Sequence, residues 1–465
     1  MVLTQEERKA IILESPSGKG EEWLKANPLY EGARNFKMRD AKEETLLQAH
    51  SENRGGAEEF LTGLKELSGR SRAFRTFMEI CNHCGVCVDK CNMWVSTGDV
   101  NNSPVGRAEL VRRIYRKGNS ARPEDVDLAK IYTYYYQCTE CRRCSVFCPF
   151  GIDQSEITRN VREVMTEIGK QPDYVVSTMA QVYRVGNNLG LNPKATGSAV
   201  DFVKEVLKDE TGKDIPIPMN KSKADMLLVP SSADLFVNIE TFKGYAKYLW
   251  ATKRDYTIST DATEAANFGL FASERHLRNF GDIVVKDAVK RGVKTVVWGE
   301  CGHGWRTANN YVRYELAKRG IELLHVHQMV AKSLERGELR VDKSRNDHLY
   351  NYHDPCNYAR GGNLVNEPRQ ILKGVVKEVV TSAHEKEETY CCGAGGGLLA
   401  DEKQWHEYRC WAGWPAVHCA WKTGADVLVS PCAIDKAQFP QVIKYHKVGM
   451  EMVGIMDLVG NAMEL

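Results

Sequence analysis

The chain has 465 residues, too many for one typical core, so two or three domains are the starting expectation. Hydrophobic residues make up 43% and charged residues 27%, a balance that excludes wholesale disorder. With 63 basic against 61 acidic side chains the net charge is +2, so nothing points to a nucleic-acid partner.

Residues 1–75 carry mixed charge and little regular pattern beyond a helical stretch near Ala57-Glu58-Glu59-Phe60-Leu61. They are expected to form a partner-binding extension. The chain is charged from Glu6 onward and has no apolar signal core. No stretch reaches the roughly 18–20 apolar residues that cross a bilayer, so no membrane span is expected. The expected place is the cytoplasm, where thiols stay reduced; fifteen cysteines there point to metal ligation rather than disulfides.

Spacing decides which metal. Cys81, Cys84, Cys87 and Cys91 read C-x2-C-x2-C-x3-C, and Cys138, Cys141, Cys144 and Cys148 repeat it, with Pro149 directly after. Two such runs form the bacterial ferredoxin signature, in which the fourth cysteine of each run serves the other cluster. Cys81, Cys84, Cys87 and Cys148 are therefore assigned to one [4Fe–4S] cluster, and Cys138, Cys141, Cys144 and Cys91 to the second. Structural zinc takes four ligands in one tetrahedral site and has no use for this crossed set of eight. His83 falls between ligands of a complete set and reads as a surface or supporting side chain. The insertion between the runs holds a helical pattern at residues 108–115 and the aromatic run Tyr132-Thr133-Tyr134-Tyr135-Tyr136, read as packing around the clusters. These features define a helical ferredoxin domain over residues 76–160.

Residues 161–222 read as a helical linker, with breaks at Asn192-Pro193 and Ile215-Pro216-Ile217-Pro218. Beyond it, short apolar runs alternate with helical stretches, which argues for βαβ units. Strands are expected at residues 224–230, 294–299 and 425–431. Cysteines sit at strand ends: His353-Asp354-Pro355-Cys356, Tyr390-Cys391-Cys392-Gly393, and Ser430-Pro431-Cys432-Ala433-Ile434-Asp435. Adjacent cysteines followed by glycines can both turn toward one site only in a loop, which points to a cluster over a vicinal disulfide. Cys410 and Cys419 lie on a helical segment and read as core thiols.

An internal repeat underlies this region. Val229-Pro230-Ser231 stands at the place of Asp354-Pro355-Cys356, and Asn267-Phe268-Gly269 at that of Cys391-Cys392-Gly393. Gly299-Glu300-Cys301-Gly302-His303-Gly304 matches Ser430 to Asp435, so the first copy, residues 223–340, has kept only Cys301. The second copy, residues 341–465, is expected to hold one cluster.

These motifs resemble the heterodisulfide-reductase-related iron–sulfur proteins, and most of all the DsrK-type catalytic subunits of membrane-bound Dsr complexes. The likeness runs from about residue 70 to the end, through Phe77-Met78-Glu79-Ile80-Cys81-Asn82-His83-Cys84-Gly85 and Gly299-Glu300-Cys301-Gly302-His303-Gly304. It implies a multidomain α+β and α/β fold: a helical ferredoxin domain with two cubane [4Fe–4S] clusters, then a pseudo-duplicated α/β cysteine-rich (CCG) domain. It further implies a noncubane [4Fe–4S] cluster on Cys356, Cys391, Cys392 and Cys432, where a disulfide or trisulfide is split or formed. The fifth cysteine of the full motif is Asp435 here. Three readings follow: Asp435 ligates, Cys301 reaches across, or an iron stays open to substrate sulfur. His353 is a candidate to polarise or protonate a leaving thiolate, or to fix a turn by a hydrogen bond. The implied partners are a DsrM-like haem b membrane subunit that oxidises quinol, and a DsrC-like sulfur carrier as substrate, with the chain peripheral on the cytoplasmic face of the inner membrane. The alternatives are a heterodisulfide reductase acting on small thiols, a related subunit of another membrane redox complex, and a non-catalytic electron relay.

Overall fold

A computed structural model describes residues 3–25, 39–40, 55–264, 266–400 and 402–465. Helix α1 (Gln5–Leu13) opens on a capping box: the Thr4 hydroxyl accepts from the Glu7 N–H, and the Glu7 carboxylate accepts from the Thr4 N–H. It is followed by α2 (Gly20–Lys25). Both lie on their own chain, within the stretch read as partner-binding. Trp414 Nε1 donates to Ile11 O at 2.5 Å, Trp23 stacks on Trp411 at 5.5 Å between ring centres, and Trp23 Nε1 donates to Ser96 O at 2.8 Å. Most of residues 26–54 falls outside the described residues; Arg39–Asp40 pairs antiparallel with Lys170–Gln171.

The ferredoxin region is helical. The stretch noted at Ala57 is the first turn of α3 (Ala57–Arg70), and α4 (Arg72–Ile80) delivers the chain to Cys81. Helix α5 (Asn92–Thr97) starts at Cys91, α6 (Pro104–Lys117) is capped by Ser103 with proline in its first turn, and α7 (Leu128–Tyr136) carries the tyrosine run inward. Helix α8 (Gln154–Glu167) leaves the second cysteine run, its first N–H groups bonded to Asp153. Tyr132, Tyr135 and Tyr136 join Phe60, Leu64, Val111, Val161 and Val164 in one core, which bears out their reading as packing residues. In the linker, Asn192 caps the helix Pro193–Thr211, so the break there is a helix start.

The repeat is visible as two four-stranded parallel sheets with one topology. The first half holds β1 (Met226–Val229), β2 (Tyr256–Thr257), β3 (Thr295–Trp298) and β4 (Glu322–His325), in spatial order β2-β1-β3-β4. The second holds β5 (Leu349–Tyr352), β6 (Glu378–Val380), β7 (Val427–Val429) and β8 (Glu451–Val453), in order β6-β5-β7-β8. The expected strands are β1, β3 and β7, whose apolar runs are buried on both faces; β2, β4, β6 and β8 flank them at the edges. In each half the helix after the first strand packs on the last helix of the other: α9 (Ile239–Ala251) on Ile455–Ala462, and Asn366–Val375 on Val326–Glu335. At the first of these contacts, Gly244 and Gly460 approach so closely that a Cβ on Gly460 would stand 2.9 Å from the Gly244 Cα.

Arginines fasten the ferredoxin region to the second half. Arg162 is fully buried; it pairs with Glu140 at 3.0 Å and donates to Tyr135 O, Cys138 O at 2.7 Å and Gly396 O at 3.0 Å. Arg360 Nε donates to Cys141 O at 2.5 Å, Arg142 to Arg360 O at 2.6 Å, and Arg143 to Glu388 O at 2.8 Å. Carbonyls on both sides that would be left unpaired by burial are thereby satisfied. No helix among the described residues is long and apolar enough to cross a membrane.

Candidate functional site

The ferredoxin cysteines fall into two groups. Cys81, Cys84, Cys87 and Cys148 line one small cavity together with Gly85, Pro149 and Phe150. This is the crossed set assigned from spacing. Burial pushes the Cys87 thiol up to about 12, with its neighbours Cys91, Cys81 and Cys148 adding to the shift. Cys144 is pushed up first by burial and then by Cys91, Cys87 and Cys138, so the second group adjoins the first. The buried Arg107 guanidinium lies in the field of Cys138 and Cys91 and donates to Tyr134 O and Asn102 O. It offers positive charge to thiolates that would otherwise be costly to bury. His83 bonds Glu109 at 2.8 Å and Arg112 at 2.7 Å, which makes it a supporting side chain.

In the second half, Cys391 sits at the centre of a knot of thiols. Hydrogen bonds from Cys141 first, then Cys356 and Cys392, hold its thiol well below the ordinary range against the opposing effect of burial. The Thr139 hydroxyl stands 3.3 Å from its sulfur, and the Gly393 N–H donates to it at 3.4 Å. Gly393 turns at φ +85°, and a Cβ there would meet Gly413 N at 2.5 Å, so only glycine lets the loop fold beneath both cysteines. Gly396 at φ +65° is as constrained: a Cβ would stand 2.6 Å from Cys138 O, in the neighbouring ferredoxin loop. The glycine run is thus the surface on which the two cysteine domains meet.

Of the predicted additional ligands, Asp435 lies against Cys392 and Cys301 lies in the field of Cys432. The Asp435 carboxyl bonds Ser430 at 2.8 Å and interacts with the Cys392 thiol; burial pushes it up to about 7. Cys301 accepts from Gly304 N at 3.3 Å and from Asn267 Nδ2 at 3.7 Å. Asn267 therefore occupies in the faded half the place that Cys391 holds in the intact one. Cys432 lies between the two groups, its sulfur 3.0 Å from where a Cβ of Gly302 would be. His353 is 3.8 Å from Asp435 and 3.4 Å from the Thr389 hydroxyl. Burial pushes its imidazole down to about 3, so it is neutral near pH 7. Cys410 is fully buried beside His406, and Cys419 lies among the aromatics of the same helix, Glu402–Trp421, as expected of core thiols.

Two features escaped sequence reasoning. His303, two residues beyond Cys301, is buried, neither ring nitrogen has a partner among the described residues, and its ring lies 3.1 Å from where a Cβ of Gly395 would be. Its one sequence signal is a lone histidine between two glycines at a strand end. The other is a buried charge cluster in which Lys436 bonds Asp234 at 3.1 Å, Thr241 at 2.7 Å and Glu300 at 3.0 Å, while Glu300 also pairs with His327 at 2.8 Å.

Among the described residues no three His, Cys, Asp or Glu side chains converge as tightly as a single metal ion demands. Two adjoining groups of four thiols, the first lined by Gly85 and Pro149, with backbone N–H groups aimed at sulfur from Glu140 and Ile152, fit multi-iron cages better. In the second half Cys356, Cys391 and Cys392, with Asp435 beside them, form a mostly sulfur donor set suited to iron once deprotonated.

Comparison with known proteins agrees. The 4Fe-4S dicluster domain family matches residues 77–152, and the cysteine-rich CCG domain family matches residues 350–439. The Hdr-like menaquinol oxidoreductase iron-sulfur subunit 2 of Archaeoglobus fulgidus is 37% identical over 87% of this chain and 83% of its own. Its counterpart from Archaeoglobus profundus is 36% identical over the same shares. One polypeptide of the dihydromethanophenazine:CoB–CoM heterodisulfide reductase of Methanosarcina barkeri is 22% identical over 83% of this chain and 94% of its own. The two cysteine constellations, their order and this degree of identity establish that the chain belongs to the heterodisulfide-reductase-like iron–sulfur oxidoreductase subunits.

Proposed function

We propose that this chain is the sulfur-reacting subunit of a membrane-bound complex, where it splits or forms the sulfur–sulfur bond of a disulfide or trisulfide. The observation that carries the reading is the position of Cys391. Its sulfur contacts Cys356 and Cys392 of its own motif and also Cys141 of the ferredoxin region. Electron carrier and bond-breaking centre would then share a boundary of one side chain.

Cys81, Cys84, Cys87 and Cys148 would hold one cubane cluster, and Cys91, Cys138, Cys141 and Cys144 the other. Cys356, Cys391, Cys392 and Cys432 would hold a noncubane cluster, with Asp435 as the fifth donor in preference to Cys301. When bound, these groups would supply one-electron carriers and a thiol-accepting iron, so that the two electrons needed to cleave a sulfur–sulfur bond arrive singly. The protein's own part is to bury the reacting thiolates and to keep bulk water out. His353, neutral and beside Asp435, positions that carboxyl.

By analogy with the Archaeoglobus relatives, whose name specifies menaquinol, the electrons come from a quinol through a haem b membrane subunit of DsrM type. The substrate is the trisulfide of a DsrC-like carrier, and the chain sits at the cytoplasmic face of the membrane through its partners. Cys391→Ala tests the reading. Iron and acid-labile sulfide should fall by about a third while the dicluster spectrum stays, and thiol-linked turnover should vanish. Full turnover in this variant would exclude the proposed role of the second half.

A further inference from the structure

The first half has kept only one cysteine of the repeat, yet one of its helices borders the full set in the second half. Helix Gly302–Thr307 begins directly after Cys301, just beyond β3. It packs on the short helix Cys356–Ala359, where its Arg306 donates to Asn357 Oδ1 at 3.3 Å. At its first residue, a Cβ on Gly302 would stand 3.0 Å from the Cys432 sulfur. At its second, the His303 ring lies on the glycine run: a Cβ on Gly395 would stand 3.1 Å from its Cε1 and 3.2 Å from its Nε2. One helix of the first half thus meets the second half beside Cys356, at Cys432 and three residues past Cys392.

His303 is the polar side chain of this helix that no contact explains. It is 2% exposed, and neither ring nitrogen has a partner among the described residues. In either tautomer a neutral imidazole carries one N–H donor and one acceptor nitrogen, so two polar groups are buried here. A buried donor without an acceptor costs as much as a lost hydrogen bond, so a ring that only filled space would serve better as phenylalanine. The ring is enclosed. Phe271 meets it edge to face at 5.1 Å between centres, and Thr139 O stands 2.9 Å from the same point beside Gly395. Thr139 is also the residue whose hydroxyl is 3.3 Å from the Cys391 sulfur, so His303 and Cys391 are neighbours of one residue. Cys391 is close enough for its charge to act on the ring.

We propose that His303 is a positioning residue for the third centre: its ring N–H, brought by the faded half, donates to sulfur of the centre held by Cys391 and Cys392. Donors outside the ligand set that bond to sulfur favour the reduced, more negative state of such a centre and so set its potential. The faded half then serves as one wall of the centre that the intact half binds. This inference rests on the third centre of the function proposed above and adds to it a donor from outside the ligand set.

The test uses the full-length, cluster-loaded protein under anaerobic conditions and reads the third centre by redox titration and pulsed EPR, not by turnover. His303→Leu removes the donor and should shift the midpoint potential of that centre downward. At a fixed poise the ratio of reduced to oxidised centre should fall about fivefold, the equivalent of one lost hydrogen bond. His303→Gln keeps N–H donors and should recover part of the shift, a rescue that packing alone does not predict, while the two cubane potentials stay in place in both variants. Should His303→Leu fail to assemble, labelling reads the contact with His303 intact. When the histidines carry heavy nitrogen, the third centre should show a coupled nitrogen nucleus that persists in His353→Gln. An unchanged potential in His303→Leu, or no nitrogen coupling in the labelled protein, overturns the role of His303 and leaves the proposed function standing. A wild-type protein that assembles only the two cubane centres overturns both.

Discussion

The Thr139 hydroxyl stands 3.3 Å from the Cys391 sulfur, although 252 residues separate them in the chain. Thr139 follows Cys138, so a ferredoxin loop carries the hydroxyl that accepts from the Cys391 thiol and donates to its thiolate. Hydrogen bonds to ligand sulfur stabilise the reduced state. Thr139→Val should therefore lower the midpoint potential of the third centre by on the order of 40 mV, the equivalent of one hydrogen bond of about 1 kcal/mol. Redox titration monitored by EPR checks this, and the potentials of the other two centres serve as the internal control.

Arg162 and Glu140 form a pair with no exposure on either side chain. Burial pushes the Glu140 carboxyl up, and Arg162 opposes that. Arg162→Met removes the counter-charge and also four donated hydrogen bonds, so a loss of about 3–5 kcal/mol is expected. Its signature would be early bleaching of the iron–sulfur absorbance on heating. Replacing both partners, Arg162→Met with Glu140→Gln, should recover part of the loss, which a double-mutant cycle would measure.

Lys436 holds Asp234 and Glu300 across the junction of the two halves. Lys436→Met leaves two buried carboxyls facing each other and should cost about 3 kcal/mol. Proteolytic cleavage between β4 and β5 should accelerate, because that connection joins the halves. Glu300→Gln, which keeps the shape and most hydrogen bonds, should cost less.

The seat of the N-terminal helices should respond to acid. His446 stacks on Trp414 at 4.4 Å, bonds the Ser15 hydroxyl at 2.6 Å and Cys410 O at 3.1 Å, and faces Lys19. Burial pushes its imidazole down to about 4 from 6.5, with the Cys410 carbonyl opposing and Lys19 assisting. Because the folded state binds fewer protons than the unfolded one between these values, stability falls as pH drops from 6.5 toward 4. The loss should approach about 2–3 kcal/mol. Hydrogen exchange of residues 5–25 at pH 5 and pH 7.5 would register it, and His446→Gln should flatten the dependence.

Much of this architecture was legible because cysteine spacing and strand-end position are local signals. The dicluster and CCG motifs, the βαβ texture and the faded copy all follow from residues a few positions apart, and Asn267 beside Cys301 is where the repeat placed it. What could not be read was anything that depends on docking. The contact of Cys141 with Cys391 joins two motifs with no shared local pattern, and nothing in either sequence encodes the register between them. The Thr4–Glu7 capping box, by contrast, is a local signal that overall composition obscured. Edge strands β2 and β6 are short and less apolar, so periodicity had little to report there.

The arginine clamps between the cysteine domains carry a further meaning. Arg142, Arg143, Arg162 and Arg360 tie backbone to backbone across the seam, so the donor and acceptor modules cannot behave as a tethered shuttle that swings between stations. Electron passage between the proposed centres should then depend on fixed spacing and driving force and be indifferent to solvent viscosity. Any viscosity dependence of turnover must then arise outside the chain, when its partners arrive and leave.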